Sequence, residues 1–258
     1  MKKYLCLFLT LLIFSPQINA ATIEQTFQVE IGVFDAASVS FAYRLDPEIY
    51  TFSSQIKTSG LFDSFYSFQA DYFTSGNIKS NTFITQQYTQ KTVTSSHTRT
   101  KSLLFDNNGI LTRRISSKNG QNKEVDIALP SMKIDAFDIQ TVLMMLIKNF
   151  QQKHSCDIHK TVFNGKKIYH ITVKDSGRIL FKDKRVSLKG EAYECAAFIH
   201  QENAEKGDLL WQVSAERSIK FYLMTDKATS LPFLVKMEIA STPLGKLEAY
   251  MTDLNIKE

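Results

Sequence analysis

His154, Cys156 and His159 fall within six consecutive residues, and His170 and His200 follow further along the chain. Imidazole and thiolate at this spacing are the donor types that hold zinc, and a cysteine beside a histidine is the pairing that makes a thiolate nucleophile. Both chemistries need a free thiolate, and Cys156 has a competing use in a disulfide, so neither a metal nor a catalytic cysteine is expected. Two carboxylate pairs, Asp135 with Asp138 and Asp63 with Asp71, have acid and base groups in principle. The first stands at a helix start, where acids are favoured anyway, and the second at polar positions of a strand. No Gly-x-Ser-x-Gly elbow, phosphate-binding Gly-rich loop, Gly-x-Gly-x-x-Gly or His-Glu-x-x-His occurs. The expectation is a non-enzymatic chain with no catalytic residue, no metal and no cofactor.

What remains is a set of apolar side chains able to line a cavity. Phe62, Tyr66, Phe68 and Tyr72 recur on one face of a long strand, with Asp63, Ser67, Gln69 and Asp71 on the other. Leu143, Leu146 and Phe150 are the matching candidates on a helix. The elements that must position them are mostly strands. Val39, Phe41, Tyr43 and Leu45 alternate with small or polar residues, and so do Tyr169, Ile171 and Val173, Ile219, Phe221 and Leu223, and Phe233, Val235, Met237 and Ile239. Asn107-Asn108-Gly109, Asn119-Gly120 and Asn164-Gly165 supply the positive φ that tight hairpins need. Ser176-Gly177, Lys206-Gly207-Asp208, Asp226-Lys227 and Pro243-Leu244-Gly245 mark further reversals, predicting about a dozen or more strands paired with their sequence neighbours.

One segment breaks the period of two. Between Asp135 and Lys153, Ile139, Val142, Leu143, Leu146, Ile147 and Phe150 are spaced as one face of an α-helix, with Asp135 or Asp138 available to cap its first turn. A lone amphipathic helix has to cover that stripe, and the inner face or mouth of a curled sheet is the economical place. So many antiparallel strands do not stay flat, because accumulated twist curls them. The expected fold class is mainly β: a large curled antiparallel sheet, barrel or β-spiral, with one amphipathic α-helix. Alternation without strand–helix repeats argues against a doubly wound α/β fold.

Residues 1–20 read as an export signal: Lys2 and Lys3, an apolar run of about eleven residues from Tyr4 to Phe14, then Ser15-Pro16 and a cut after Ala20. The run is shorter than the roughly 20 residues a spanning helix needs, so the chain is not expected to stay in a membrane. The product, 21–258, reads as a single periplasmic domain. Removing Lys2 and Lys3 takes Lys and Arg from 31 to 29 against 26 acids, a formal net charge of +3. The basic residues are spread singly along the strands, with Arg113-Arg114 and Lys166-Lys167 beside turns, so nucleic acid is excluded as a partner. Cys6 leaves with the signal, and two cysteines in an exported chain predict a Cys156–Cys195 bridge. Closing that loop of about 40 residues contributes roughly 4 kcal/mol in the chain-entropy model.

In order, these features resemble an uncharacterised family of exported bacterial proteins, domain of unknown function 3108. The resemblance is carried by Tyr50 to Phe73 with the Ser59-Gly60-Leu61-Phe62 turn, the Ala136-Phe137-Asp138 helix entry and the hairpin from Val162 to Tyr169. Cys195, Leu231-Pro232-Phe233 and the run Thr242 to Leu247 complete it, while the polar Gln86 to Gln90 region departs from the pattern. The resemblance implies a periplasmic, β-rich fold and brings no catalytic residue. The functional expectation is binding of a lipid or other apolar envelope ligand; the alternatives are a scaffold for an envelope protein partner and, third, an envelope hydrolase built on the histidines.

Overall fold

The computed structural model of the protein describes residues 21–202, 218–242 and 245–257. The export signal expected at 1–20, the Lys206-Gly207-Asp208 reversal and the Pro243-Leu244 part of the last one lie outside the described residues. The first half of the chain forms β1 (Thr22–Ile31), β2 (Phe34–Leu45), β3 (Ile49–Thr58), a short helix α1 (Gly60–Phe65), β4 (Phe68–Lys79), β5 (Thr82–Thr94), β6 (Thr98–Phe105), β7 (Leu111–Lys118) and β8 (Gln121–Val125). After helix α2 (Ile139–Lys153) come β9 (Ile158–Phe163), β10 (Ile168–Phe181), β11 (Gly190–Gln201), β12 (Ile219–Thr225), β13 (Pro232–Thr242) and β14 (Gly245–Lys257).

Among the described residues all 14 strands belong to one antiparallel sheet. Each strand pairs with its sequence neighbour, as the turn residues predict; Asn119 and Gly120, both at positive φ, make the tight β7–β8 reversal. The exception joins the two halves. β1 pairs with β14, Ile23 opposite Ile256 and Val29 opposite Ala249, so the sheet's edges are β8 and β9 rather than the ends of the chain. These edges do not pair with each other; the sheet is curled and unclosed. The β9 edge is covered by the segment before α2, where Asp135 and Ala136 exchange backbone hydrogen bonds with Thr161 and Phe163. That covering protects an otherwise open row of donors and acceptors.

Strict alternation gives the inward face its core. From Ala21 into β1, Ala21, Ile23, Gln25, Phe27 and Val29 are buried while the residues between them are not. Across the interior the Tyr43 hydroxyl donates to the Pro232 carbonyl, and the buried Gln25 amide bonds both the N–H and the C=O of Leu234, stitching β1 and β2 to β13. A second cluster, under α2, joins Val142, Leu146 and Phe150 to Val162, Ile171, Val173, Phe221 and the Cys156–Cys195 bridge, whose Cα atoms are 6.0 Å apart. A third brings Phe163 of β9 onto Tyr88, Leu103 and Leu111 of β5, β6 and β7, which is how the curl folds back on itself.

Two local expectations are corrected. Phe62 and Tyr66 are not on a strand with Phe68 and Tyr72: Gly60, at φ +59°, turns the chain into α1, which contains Phe62 and leaves Tyr66 exposed just after its end. A Cβ at residue 60 would stand 2.9 Å from the Asp35 carbonyl, so this turn also needs the close approach that glycine permits. The buried face of α2 is also rotated from the simple stripe. Ile139 and Leu143 are 43% and 37% exposed, whereas Gln140, Thr141 and Met144 are buried. The reason is that the sheet wraps α2, which packs on β3, β4 and β5 on one side and on β9 and β13 on others, so no single stripe meets the core.

Candidate functional site

Asp138 resolves the choice of helix cap. Its Oδ1 accepts from the Thr141 N–H at 2.8 Å and its Oδ2 from the Thr141 hydroxyl at 2.7 Å, while the Thr74 hydroxyl of β4 lies 3.0 Å from Oδ1. Around it runs a buried chain of hydroxyls and amides. The Tyr50 hydroxyl lies 3.1 Å from that of Thr141 and 3.2 Å from that of Thr85, and Gln140 donates to Ser54. Burial pushes the Asp138 carboxyl above its ordinary value, with the Thr141 and Thr74 hydrogen bonds opposing it. Tyr50 reaches this network because its partner across β3–β4 is Gly76; a Cβ there would fall 2.6 Å from the ring and 2.3 Å from the Ile84 carbonyl. The network fixes where α2 enters the sheet.

Beyond that entry the inward face of β4 to β8 continues past the helix and changes character. Cross-strand partners share a face, so register identifies its residues. Tyr72 faces Gln90, Gln90 faces Lys101, Lys101 faces Ser116 and Ser116 faces Lys123; in the adjoining rows Tyr88, Leu103 and Arg114 align, as do Thr92, Arg99 and Lys118. This face therefore carries Arg99, Lys101, Arg114, Lys118 and Lys123, and no carboxylate from these strands; Asp71 and Glu124 stand on the outward face. Arg113, next in sequence to Arg114, points outward and pairs with Glu124 at 2.9 Å.

Lys101 and Arg114 are half-buried, and neither has an ion-pair partner among the described residues. The Lys101 ammonium lies 5.0 Å from the centre of the Tyr88 ring, a cation–π placement, and the buried Arg114 Nε has no hydrogen-bond acceptor. Burial, reinforced by the Arg114 charge, brings the Lys101 amine down to about 8; Asp138 opposes the shift. The turn between β9 and β10 lies against this site, Gly165 being close enough that a Cβ would meet the Arg114 Cδ at 3.1 Å.

The residues expected to line a cavity are distributed. Phe68 and Tyr72 lie on the inward face of β4, Tyr72 packing against the Tyr88–Leu103 cluster. Leu146 and Phe150 are in the packed cluster beside the disulfide; Leu143 is exposed, and Phe62 is half-buried in α1. His154 ends α2 in the left-handed conformation. The rings of His159, His170 and His200 stack in a row on the outward face of β9, β10 and β11, with His170 bonded to Glu202 at 2.9 Å. No group of three or more metal-ligating side chains is assembled among the described residues. A groove of about 470 Å³ crosses the outward face of β1 to β4, floored by Ser40, Ala42 and Ser53 and edged by Glu24, Asp71 and Asp253. The sequence does not show Lys101 and Arg114 as one site, because Lys101 looks isolated along the chain and Arg114 reads with Arg113 as solvated charge beside a turn; the available signal was the alternation Arg99, Lys101, Leu103 and Arg114, Ser116, Lys118.

No helix among the described residues is long and apolar enough to cross a membrane. The bridged cysteines fit an exported protein. A similar fold is seen in the crystal structure of a β-barrel-like protein of domain of unknown function DUF1849 from Brucella abortus, at 9% identity and a TM-score of 0.52, covering 92% of this chain and 98% of that one. No curated protein matches the chain. A family model does match, over residues 24–252, and with that span nearly the whole described sheet is accounted for: the chain belongs to the family described as protein of unknown function DUF3108.

Proposed function

We propose that this chain is an exported, non-enzymatic binding protein that holds an amphipathic envelope component against the inward face of its curled sheet. The observation that carries this reading is that α2 covers part of that face and leaves Phe68, Tyr72, Lys101 and Arg114 half-buried on the β4 to β7 portion, over the buried Tyr88 and Leu103. A packing-only role would favour burying this surface under a second helix. Ile139 and Leu143 are also uncovered on α2 itself. Outward positions such as Glu24, Thr26, Gln28 and Glu30 on β1 are polar, and an unclosed sheet in hydrocarbon would leave the β8 edge unsatisfied, so the surroundings are aqueous.

The scaffold reading is less favoured: β8, the uncovered edge, is five residues long and carries Lys123 and Glu124, features that resist strand addition. The hydrolase reading needs its histidines in a cleft, and their row faces outward from the sheet. The test is native mass spectrometry of the chain purified from the periplasm under mild extraction, before and after delipidation. The expected result is a bound small amphiphile that is removed by delipidation and taken up again on re-exposure; a chain that never carries or takes up any such molecule overturns the reading.

A further inference from the structure

We propose that the Lys101–Arg114 pair is the headgroup site for this ligand, and that the ligand is therefore an anionic amphiphile, with a phosphate, sulfate or carboxylate head. The inference rests on the binding reading above and adds the chemical class of its ligand. Four observations converge on it. The register gathers Arg99, Lys101, Arg114, Lys118 and Lys123 on one face of β6, β7 and β8 with no carboxylate from β4 to β8 among them. None of the five makes an ion pair among the described residues, although elsewhere in the fold charges are paired closely, as Arg185 is to Asp183, Glu30 and Glu248. The buried Arg114 Nε lacks an acceptor. Asp138, the carboxylate whose field reaches both Lys101 and Tyr88, is already engaged by Thr141 and Thr74.

A half-buried guanidinium and ammonium without a counter-ion cost free energy, and that cost is recovered when an anion supplies the missing acceptor. A guanidinium offers a planar fork of donors matched to phosphate and carboxylate, and the ammonium adds a point charge beside it. Leu103 and Tyr88 are buried beneath the Lys101–Arg114 pair, while the half-buried Tyr72 stands on the same face in the row of Gln90 and Lys101, so the groups that meet the anion adjoin the apolar ring of Tyr72. A fully hydrated anion gains nothing from that surface, whereas the first carbons of an attached chain do. Arg99, Lys118 and Lys123, which are exposed, extend positive potential to the rim and draw an anion inward.

Isothermal titration calorimetry of the delipidated exported chain with dodecyl phosphate, dodecyl maltoside and inorganic phosphate tests this. Dodecyl phosphate should bind roughly tenfold to hundredfold more tightly than dodecyl maltoside, and the Lys101→Gln, Arg114→Gln double variant should erase that preference while still binding the maltoside. Lys101→Arg should keep it. A double variant that melts like the parent and binds dodecyl phosphate unchanged overturns the proposal, and so does equal affinity of the parent for both amphiphiles; in that last case the binding reading itself survives. If inorganic phosphate binds as tightly as dodecyl phosphate and the double variant loses both, the cationic site stands and the amphiphile reading falls. Binding of none of the three overturns both. Should the double variant not fold, Lys101→Gln alone carries the comparison, because its removal leaves no partner charge buried.

Discussion

At the level of single residues, the proposed headgroup site predicts that Lys101 couples anion affinity to pH. The groups facing its ammonium are Arg114, which opposes its charge, Asp138, which favours it, and the Tyr88 ring; burial outweighs the attraction of Asp138 and brings the amine to about 8, below its ordinary value. As pH rises through about 8 the ammonium is lost, so affinity for dodecyl phosphate should fall between about pH 7 and 9 in the parent and much less in Lys101→Arg, measured by calorimetry. The stability of the unliganded chain should move the other way. A lysine whose folded value is depressed disfavours folding where it is charged, and that penalty disappears as pH rises from about 8 toward the unfolded value. Lys101→Met should therefore melt at or above the parent temperature while binding the anion poorly. Gly76 sets a different residue-level constraint. Gly76→Ala drives a methyl into the Tyr50 ring and the Ile84 carbonyl, and should cost about 1–3 kcal/mol in denaturant titration; Tyr50→Phe, which keeps the ring and loses the hydroxyl bonds to Thr85 and Thr141, should cost about 1 kcal/mol.

Among the elements, α2 depends most on one side chain. Asp138 supplies the acceptor for the first turn and for two buried hydroxyls from different elements, so Asp138→Ala removes a cap and leaves Thr74 and Thr141 without that partner. The expected cost is about 2 kcal/mol or more, with Asp138→Asn much milder because an amide oxygen still accepts from the Thr141 N–H. Chemical denaturation of the two variants checks the order. Because α2 lies inside the curl, the same loss should raise amide exchange in β3 to β5 as well as in the helix.

For the whole molecule, the junction of the two halves and the covalent bridge dominate. Across the outward face of β1, β13 and β14, Arg185 reaches Asp183, Glu30 and Glu248, and Lys236 reaches Asp183 and Glu248. Burial would push the Glu248 carboxyl up, yet hydrogen bonds from Lys236, Arg185 and Lys246 hold it at about 2; Asp183 is held well below the usual range chiefly by Arg185. Carboxyls depressed in the folded state stabilise it fully above their unfolded values and lose that contribution as pH falls toward the folded ones. Thermal melts should therefore drop between about pH 4.5 and 2, and Glu248→Gln should lower the neutral melting temperature by a few degrees while flattening this acid limb. The Cys156–Cys195 bridge ties the segment after α2 to β11. The Cys156→Ala, Cys195→Ala variant should lose about 2–5 kcal/mol, read by denaturant titration beside the reduced parent.

Period-two alternation, Asn-Gly turns and an even cysteine count determined the strand-rich, sequentially paired fold, the single long helix and the bridge, because each is a local rule or a count. Where the edges fall was not local. Pairing of β1 with β14 depends on two segments more than 200 residues apart in the chain, and only the assembled sheet makes β8 and β9 the edges. The same applies to the candidate site. Lys101 and Arg114 each have ordinary surface residues as sequence neighbours, and Arg113 beside Arg114 is a solvated ion pair. Register alone turns them to one face, and the wrap of the sheet around α2 alone decides that the face stays partly open, since burial is a property of what packs from elsewhere in the chain.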